Sequence, residues 1–194
     1  MSRSFHFSVL GGAEEIGANC TYLSFGGTGI IIDAGLHPKE RDLRAFPPLD
    51  SIKYQDIDAL LITHAHTDHI GGMPYLLKQH PYIGMHTTAL TRDIASVMLK
   101  NTVTLIREQI ELSKEMQDAI SLYDKSIIEY ISTVFETHAY QESFEIYGKR
   151  SQYPVECTFH DAGHIPGSAG VMLEWNGLSV FHTGDMCLHD QWLI

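Results

Sequence analysis

The chain has 194 residues, 44% hydrophobic and 19% charged, and its formal net charge is −11 at pH 7. This composition is typical of a folded globular protein with a single domain, and it excludes a disordered segment. The negative charge excludes a broad basic groove for nucleic acid, because such a surface would repel a phosphate backbone. It leaves open a phosphodiester site built around metal ions, which would offset the charge locally.

Cysteine usage and hydropathy indicate the compartment. The chain has three cysteines without CxxC spacing, which is typical of reduced thiols in a cytoplasmic protein. No apolar run reaches the length that spans a membrane, and the first ten residues lack the profile of a signal peptide. We therefore expect a cytoplasmic protein without a membrane partner.

The first part of the chain predicts strands. Residues Phe5 to Leu10 alternate apolar and polar side chains, as in a half-buried strand. Thr21 to Phe25 and Gly29 to Ile32 flank a glycine pair and predict a hairpin. Asp33 follows the second of these strands. A carboxylate in this position is either a turn former or a buried support for a site, and the sequence leaves both open.

The most informative stretch is Thr63–Gly72, with the sequence THAHTDHIGG. It follows a short apolar run, Ile57 to Ile62, that predicts a buried strand. A helix is predicted to follow from Pro74 to about Gln79. The stretch should therefore be a loop at the carboxyl edge of a sheet, where α/β proteins place ligands.

Three histidines and a carboxylate within six residues predict a metal site. Neutral imidazole nitrogens and carboxylate oxygens are the ligands that suit zinc and related divalent ions. His64 and His66 alternate and can share one ion, whereas the adjacent Asp68 and His69 can hold a second. The alternative, a surface loop that happens to be rich in histidine, does not explain the density of the cluster.

The middle of the chain changes to helical periodicity after a predicted strand at Tyr82 to Met85. Apolar residues at spacings of three and four predict a helix from Thr88 to Met116 and a shorter one from Asp124 to Ser132. His138 follows in a polar segment, where an isolated histidine is more often solvated than a ligand. We interpret the other isolated histidines in the same way: His6, His37, His80, His86, His160 and His189.

The last part of the chain returns to strands, at Val155 to His160, Gly170 to Trp175 and Leu178 to His182. The last two flank an Asn-Gly dipeptide, which favours a two-residue type I′ hairpin. His164 lies in a glycine-rich loop and Asp185 follows the final strand. Each of them, taken alone, is either a turn residue or a ligand.

Together these candidates predict one site with two metal ions. A first ion would be bound by His64, His66 and His164. A second ion would be bound by Asp68 and His69, and Asp185 would lie between the two ions. A carboxylate that bridges two ions about 3.5–4 Å apart is a standard arrangement for holding a hydroxide ready to attack. The ions lower the pKa of the bound water, so that hydroxide exists near neutral pH.

The order of these residues carries a family resemblance that covers nearly the whole chain. Asp33, the run His64–His69, His164 and Asp185 resemble the first four motifs of the metallo-β-lactamase fold. The resemblance implies an α/β protein with an αββα sandwich, whose mixed sheet is mostly antiparallel and whose helices lie outside. It also implies that the six ligands transfer to this chain, and that Asp33 supports the site through hydrogen bonds.

The resemblance extends to the β-CASP nucleases of that superfamily. Leu10–Gly17 with Asn19, and His69–Leu77, are similar to bacterial ribonuclease J. Ala162–Ser168 and His182–Asp185 resemble the endonucleases of pre-messenger-RNA 3′-end cleavage. This implies a metal-dependent hydrolase that cleaves RNA, or another single-stranded nucleic acid, with a metal-bound hydroxide. Asp68 would be the catalytic residue that orients the hydroxide, with one or two zinc ions per chain, or manganese in their place.

The chain departs from the family after the fourth motif. There the family continues into an inserted β-CASP domain and the second half of the sandwich, which supply one more histidine ligand and a histidine implicated in proton transfer. This sequence stops at Ile194. We therefore expect residues 1–194 to be an N-terminal portion, either a fragment of a longer protein or a natural truncation. Its apolar face would be covered by the missing half or by a second copy. The activity of the chain alone stays open.

Two alternatives to a nuclease remain at this point. The first is a small-molecule hydrolase of the same fold, acting on a thioester, a lactone or a β-lactam with similar metal chemistry. The second is a non-catalytic interaction module that keeps metal for structure. The sequence also leaves open RNA versus DNA and endonuclease versus exonuclease.

Overall fold

A computed structural model of the protein describes residues 4–40, 43–110 and 125–189. Ten strands in these ranges form two sheets. The larger sheet has the order β1-β2-β3-β4-β5-β6, with β1 (Phe5–Gly11), β2 (Cys20–Phe25), β3 (Thr28–Ile32), β4 (Ala59–Leu61), β5 (Gly84–Thr87) and β6 (Phe135–Thr137). The smaller has the order β10-β9-β8-β7, with β7 (Ser143–Ile146), β8 (Val155–Asp161), β9 (Ala169–Trp175) and β10 (Leu178–His182).

The helices of the described residues pack against the larger sheet. They are α1 (Thr67–Ile70), α2 (Met73–Gln79), α3 (Ala89–Ile110) and α4 (Lys125–Val134), with two short 3₁₀ turns at Leu43–Ala45 and Leu49–Ile52. The part of the predicted first long helix beyond Ile110 lies outside the described residues. No helix of the described ranges is both long and apolar enough to cross a membrane.

Strand pairing confirms the predicted mixed α/β architecture. β1, β2 and β3 pair antiparallel, whereas β3 to β6 pair parallel. The smaller sheet is antiparallel throughout. Parallel strands need crossover connections, and helices in these connections cover the outer face of the larger sheet.

The core has two layers because side chains of a strand alternate between faces. Ile30 and Ile32 face the smaller sheet and pack in one apolar cluster with Phe159 and Leu173. Ile31 faces the opposite way, into a second cluster that contains side chains of α2, α3 and α4. The central strands β3 and β4 are therefore buried on both faces, which explains their uninterrupted apolar sequence.

The hairpin between β9 and β10 has the geometry that its sequence predicts. Asn176 and Gly177 adopt φ values of 49° and 80°, and Leu178 pairs with Trp175 directly across the turn. Positive φ at both central residues is the type I′ conformation, which matches the twist of the two strands.

Several predicted elements were wrong in detail. The strand predicted from Tyr82 begins at Gly84 instead, and the side chain of Tyr82 is 92% exposed. The stretch Thr63–Gly72 was predicted as a loop, but part of it forms the one-turn helix α1. The three-residue β6 and four-residue β7 were not predicted, because strands this short show too few alternations for a periodicity.

The topology brings the loops with functional residues to one edge. The carboxyl ends of the parallel strands β3, β4, β5 and β6 lie at the same edge of the larger sheet. The loop that follows β4 joins the smaller sheet there, since the amide of Ala169 donates to the carbonyl of Thr63 over 2.8 Å. Residues far apart in sequence therefore meet at this edge.

Candidate metal centre

Three histidine rings face one another at this edge. Nε2 of His64 lies 3.1 Å from Nδ1 of His66, and Nε2 of His164 lies 3.2 Å from the same atom. The three pairs of rings cross at 81°, 90° and 82°. Two nitrogens that bind one tetrahedral zinc at 2.0–2.1 Å are about 3.3 Å apart. The spacing and the ring orientation therefore fit a shared ion.

The carboxylate of Asp185 lies between this group and a second one. Its Oδ2 is 4.0 Å from Nε2 of His64 and 3.7 Å from Nε2 of His164. Its Oδ1 is 3.5 Å from Nε2 of His69, and Oδ2 of Asp68 is 3.8 Å from that same nitrogen. The structure thus brings together all six residues that the sequence nominated as ligands.

Asp33 lies behind the second group. Its side chain is 1% exposed, and its backbone has a positive φ of 60°, a conformation that aspartate tolerates better than most residues. Oδ1 accepts the amide of Thr63 over 2.8 Å, and Oδ2 accepts the Thr63 hydroxyl over 2.8 Å. Oδ2 also contacts Nδ1 of His69 at 2.7 Å. Both oxygens of the Asp33 carboxylate are therefore used in contacts with Thr63 and His69.

The carboxylates around His69 determine the protonation state of its imidazole ring. Burial lowers the pKa of His69, but Asp33, followed by Asp68 and Asp185, raises it above the ordinary value. The raised pKa favours the protonated ring, in which Nδ1–H donates to Asp33 and Nε2–H faces Asp68 and Asp185. A metal ion would take the place of the Nε2 proton, while Asp33 keeps the proton on Nδ1.

The first group has the opposite electrostatics. Burial, followed by the charge of His69, lowers the pKa of His64 to about 3. Burial and the neighbouring His164 lower the pKa of His66. Both rings are therefore neutral at physiological pH, and the neutral imidazole is the form that binds divalent ions.

Sequence reasoning missed the role of Asn19. Its amide nitrogen lies 3.2 Å from the backbone oxygen of Asp68, 3.3 Å from Oδ2 of Asp68 and 3.0 Å from Nε2 of His69. Close packing holds this contact, because a Cβ on Gly35 would lie 1.7 Å from the Asp68 oxygen. The only sequence signal for Asn19 is its place just after the motif Leu10–Gly17.

Sequence reasoning also missed the residues that fix the turn bearing His164. The hydroxyl of Ser168, which is fully buried, accepts the amides of His164 and Ile165 over 3.0 and 3.2 Å. The hydroxyls of Thr88 and Thr91, at the start of α3, donate to the carbonyl of Gly167 over 2.7 Å each. The turn is thereby held from two sides.

The prediction that the isolated histidines are solvated was wrong for His37 and His86, which are buried, whereas His138 is half-buried. His37 is 8% exposed, and its Nδ1 accepts the amides of Lys39 and Glu40 over 3.1 Å each. His86 is 7% exposed, and its Nδ1 lies 3.1 Å from Nε2 of His138. These pairings could not be seen from the sequence, because His86 and His138 are 52 residues apart.

Comparisons with known proteins agree with the geometry. Residues 13–98 match the family described as the metallo-beta-lactamase superfamily. Endoribonuclease YSH1 of Yarrowia lipolytica is 31% identical over 185 residues, which are 95% of this chain and 21% of that protein. Cleavage and polyadenylation specificity factor subunit 3-I of Arabidopsis thaliana is 31% identical over 177 residues, which are 91% of this chain and 24% of that protein. The chain therefore spans about a fifth to a quarter of the length of these relatives.

A solved structure shows the same fold. A B3 metallo-β-lactamase with an active-site glutamic acid superposes with a TM-score of 0.50 at 14% identity, covering 90% of this chain and 57% of that one. The match of residues 13–98 to the metallo-β-lactamase superfamily and this fold agree with each other, and the Yarrowia relative is named an endoribonuclease. The resemblance seen in the sequence motifs is thus confirmed.

Proposed function

We propose that this metallo-β-lactamase domain is the metal-binding catalytic part of a nuclease that hydrolyses RNA phosphodiesters. One observation carries the proposal: the Asp185 carboxylate directs one oxygen to the His64–His164 side and the other to His69. This is the placement of a ligand shared by two ions. The relatives named as endoribonucleases support RNA as the substrate.

The donor set supports zinc as the ion, with manganese as the alternative. The three facing imidazoles of His64, His66 and His164 would hold one ion, and Asp68 with His69 would hold another. Asp185 would contact both. Imidazole and carboxylate without thiolate suit zinc and neighbouring divalent metals. A bound divalent ion lowers the pKa of nearby water and neutralises phosphate charge.

Three residues would position the groups of the site and accept the proton of the attacking water. Asp33 holds Nδ1 of His69, so that the ring cannot turn its Nε2 away from the site. Thr63 fixes Asp33 with two hydrogen bonds. The Asp68 side chain is 24% exposed at the mouth of the site, and we propose that it orients the attacking water and accepts its proton.

The relatives are much longer than this chain, which suggests that the chain works as part of a larger protein or assembly. Because the chain spans 21% of the Yarrowia protein, we propose that residues 1–194 act as the N-terminal portion of a longer nuclease, or with a second copy that covers the exposed apolar surface. The side chains of Phe181 and Leu188, near the end of the described residues, are 45% and 84% exposed. A cytoplasmic location likewise stays a prediction.

A parallel assay tests the function. The chain, and any longer protein that contains it, is incubated with single-stranded RNA, with a β-lactam and with a thioester, in the presence of zinc, of manganese or of a chelator. We expect RNA cleavage that the chelator abolishes and the metal restores. The His66→Ala variant should lose this activity, whereas His160→Ala, at a histidine outside the site, should keep it. Thioester or β-lactam hydrolysis without RNA cleavage in either protein would overturn the proposal.

A further inference from the structure

A second group of ligand-type side chains lies outside the candidate centre. His86 on β5, Glu136 on β6 and His138 just after β6 each offer one donor atom, and these atoms lie within 4.8 Å of one another. The parallel register pairs His86 with Glu136 on neighbouring strands. The proposed function uses none of these residues.

The distances in this group match those in the candidate centre. Nδ1 of His86 lies 3.1 Å from Nε2 of His138 and 3.7 Å from Oε2 of Glu136. The corresponding nitrogen distances among His64, His66 and His164 are 3.1 and 3.2 Å. Nitrogens that share one tetrahedral zinc are about 3.3 Å apart. A small movement would therefore admit an ion between the rings.

Packing holds the two rings in this arrangement before any ion binds. The His138 ring stacks on Phe144 of β7, with centroids 3.6 Å apart and planes inclined by 8°. The His86 ring stacks on the same phenylalanine at 5.2 Å and 27°. Rings ordered in this way lose little conformational freedom on binding an ion, so less of the binding energy is spent on ordering.

The charge state of the group also suits a cation. Burial lowers the pKa of His86 to about 4, although Glu136 opposes the shift. Burial likewise lowers the pKa of His138, against Glu136 and Glu142. Both rings are neutral near pH 7 and have lone pairs to donate, while the 70% exposed Glu136 adds a negative charge that solvent ions can reach.

We propose that His86, Glu136 and His138 bind a divalent transition-metal ion of the zinc class, separate from the catalytic centre. Two imidazoles and one carboxylate are ligands for zinc, copper or nickel, and a water would complete the coordination. The ion would join β5 to β6, which is the edge strand of the larger sheet and has only three residues. Its role would be structural.

The test isolates this group from the catalytic centre. The starting protein is the chain with both His66→Ala and Asp185→Ala, which removes one ligand of the first proposed ion and the carboxylate that both ions of the centre would share. A third change, His138→Phe, retains an aromatic ring against Phe144 but removes the donor nitrogen. The matched control is His160→Phe, since His160 lies in neither group. Cobalt(II) absorption and zinc titration measure the bound ion, and thermal unfolding with and without zinc measures its effect on stability.

We expect the double variant to bind one cobalt ion per chain and to gain thermal stability from zinc. His138→Phe should weaken binding by more than about 100-fold, since loss of an outer-shell partner alone costs 10–100-fold. His160→Phe should bind as the double variant does. Equal binding by the His138→Phe protein, or no ion bound by a folded double variant, would overturn the proposal.

A measurement without substitutions covers the case in which a variant does not fold. Nitrogen chemical shifts of the histidine rings are recorded on the unaltered chain during a zinc titration. Coordination should shift Nδ1 of His86 and Nε2 of His138 together. If these two signals stay in place while those of His64 and His66 move, the second site does not exist.

Discussion

Oδ2 of Asp33 lies 2.7 Å from Nδ1 of His69, although the two residues are 36 positions apart in the sequence. Asp33 follows the buried strand β3, and His69 lies on the one-turn helix after β4. Because β3 and β4 are parallel neighbours, their carboxyl ends are adjacent. The contact therefore links the rigid sheet to a ring that faces the candidate centre.

Asp33→Asn tests this link. The amide keeps the shape and tolerates the positive φ, but it lacks the charge that holds the Nδ1 proton. We expect metal affinity at the centre to fall by 10–100-fold, as is typical when an outer-shell partner is lost. The zinc dissociation constant is measured in the His138→Phe background, so that zinc binding at the His86–His138 group does not contribute to the measurement. Asp50→Asn, at an exposed aspartate, is the control. Unchanged affinity would show that Asp33 does not position His69.

Asp68→Asn tests the proposed catalytic residue. The side chain keeps its shape but loses its charge and its capacity to accept a proton. We expect turnover on single-stranded RNA to fall by roughly 10²–10⁴, where each tenfold corresponds to ~1.4 kcal/mol of barrier. Metal is supplied in excess, folding is checked by circular dichroism, and Asp50→Asn again serves as the control. Equal activity of Asp68→Asn and the parent would refute the two-metal mechanism.

Ser168→Ala tests the turn that bears His164. Removal of the buried hydroxyl leaves the amides of His164 and Ile165 without their acceptor, and an unsatisfied buried polar group costs about 1–3 kcal/mol. We expect the free energy of unfolding in urea to fall by that amount. Ser179→Ala should change it little, since Ser179 is exposed on β10. If both variants are equally stable, the Ser168 hydroxyl does not support the turn.

The three cysteines should differ in reactivity. Burial raises the pKa of Cys20 and Cys157, with smaller contributions from Asp33 and Glu156 respectively. A raised pKa keeps these thiols protonated through mildly alkaline pH, and the thiolate is the reactive form. Cys187 is partly exposed. A thiol reagent at pH 8 should therefore label one cysteine in the folded chain and three in urea. Rapid labelling of Cys157 in the folded chain would contradict the buried position.

The sequence by itself determined the elements whose signal is local. The hairpin at Asn176-Gly177 follows from the backbone preference of two adjacent residues. The alternation of Ile30, Ile31 and Ile32 between two cores follows from the pleat of a single strand. The run His64–His69 concentrates ligands within one loop and a helical turn. Each of these features can be predicted from a few adjacent residues, without information on which other segments they contact.

Only the tertiary structure decided the contacts between distant segments. The supporting roles of Asn19 and Ser168 have no signal beyond the motifs that contain these residues, because the roles depend on which loops the parallel strand ends bring together. The pairing of His86 with His138 depends on the adjacency of β5 and β6, and β6 is too short to predict. The physical reason is that periodicity reports which face of an element is buried, but not which residue lies opposite it.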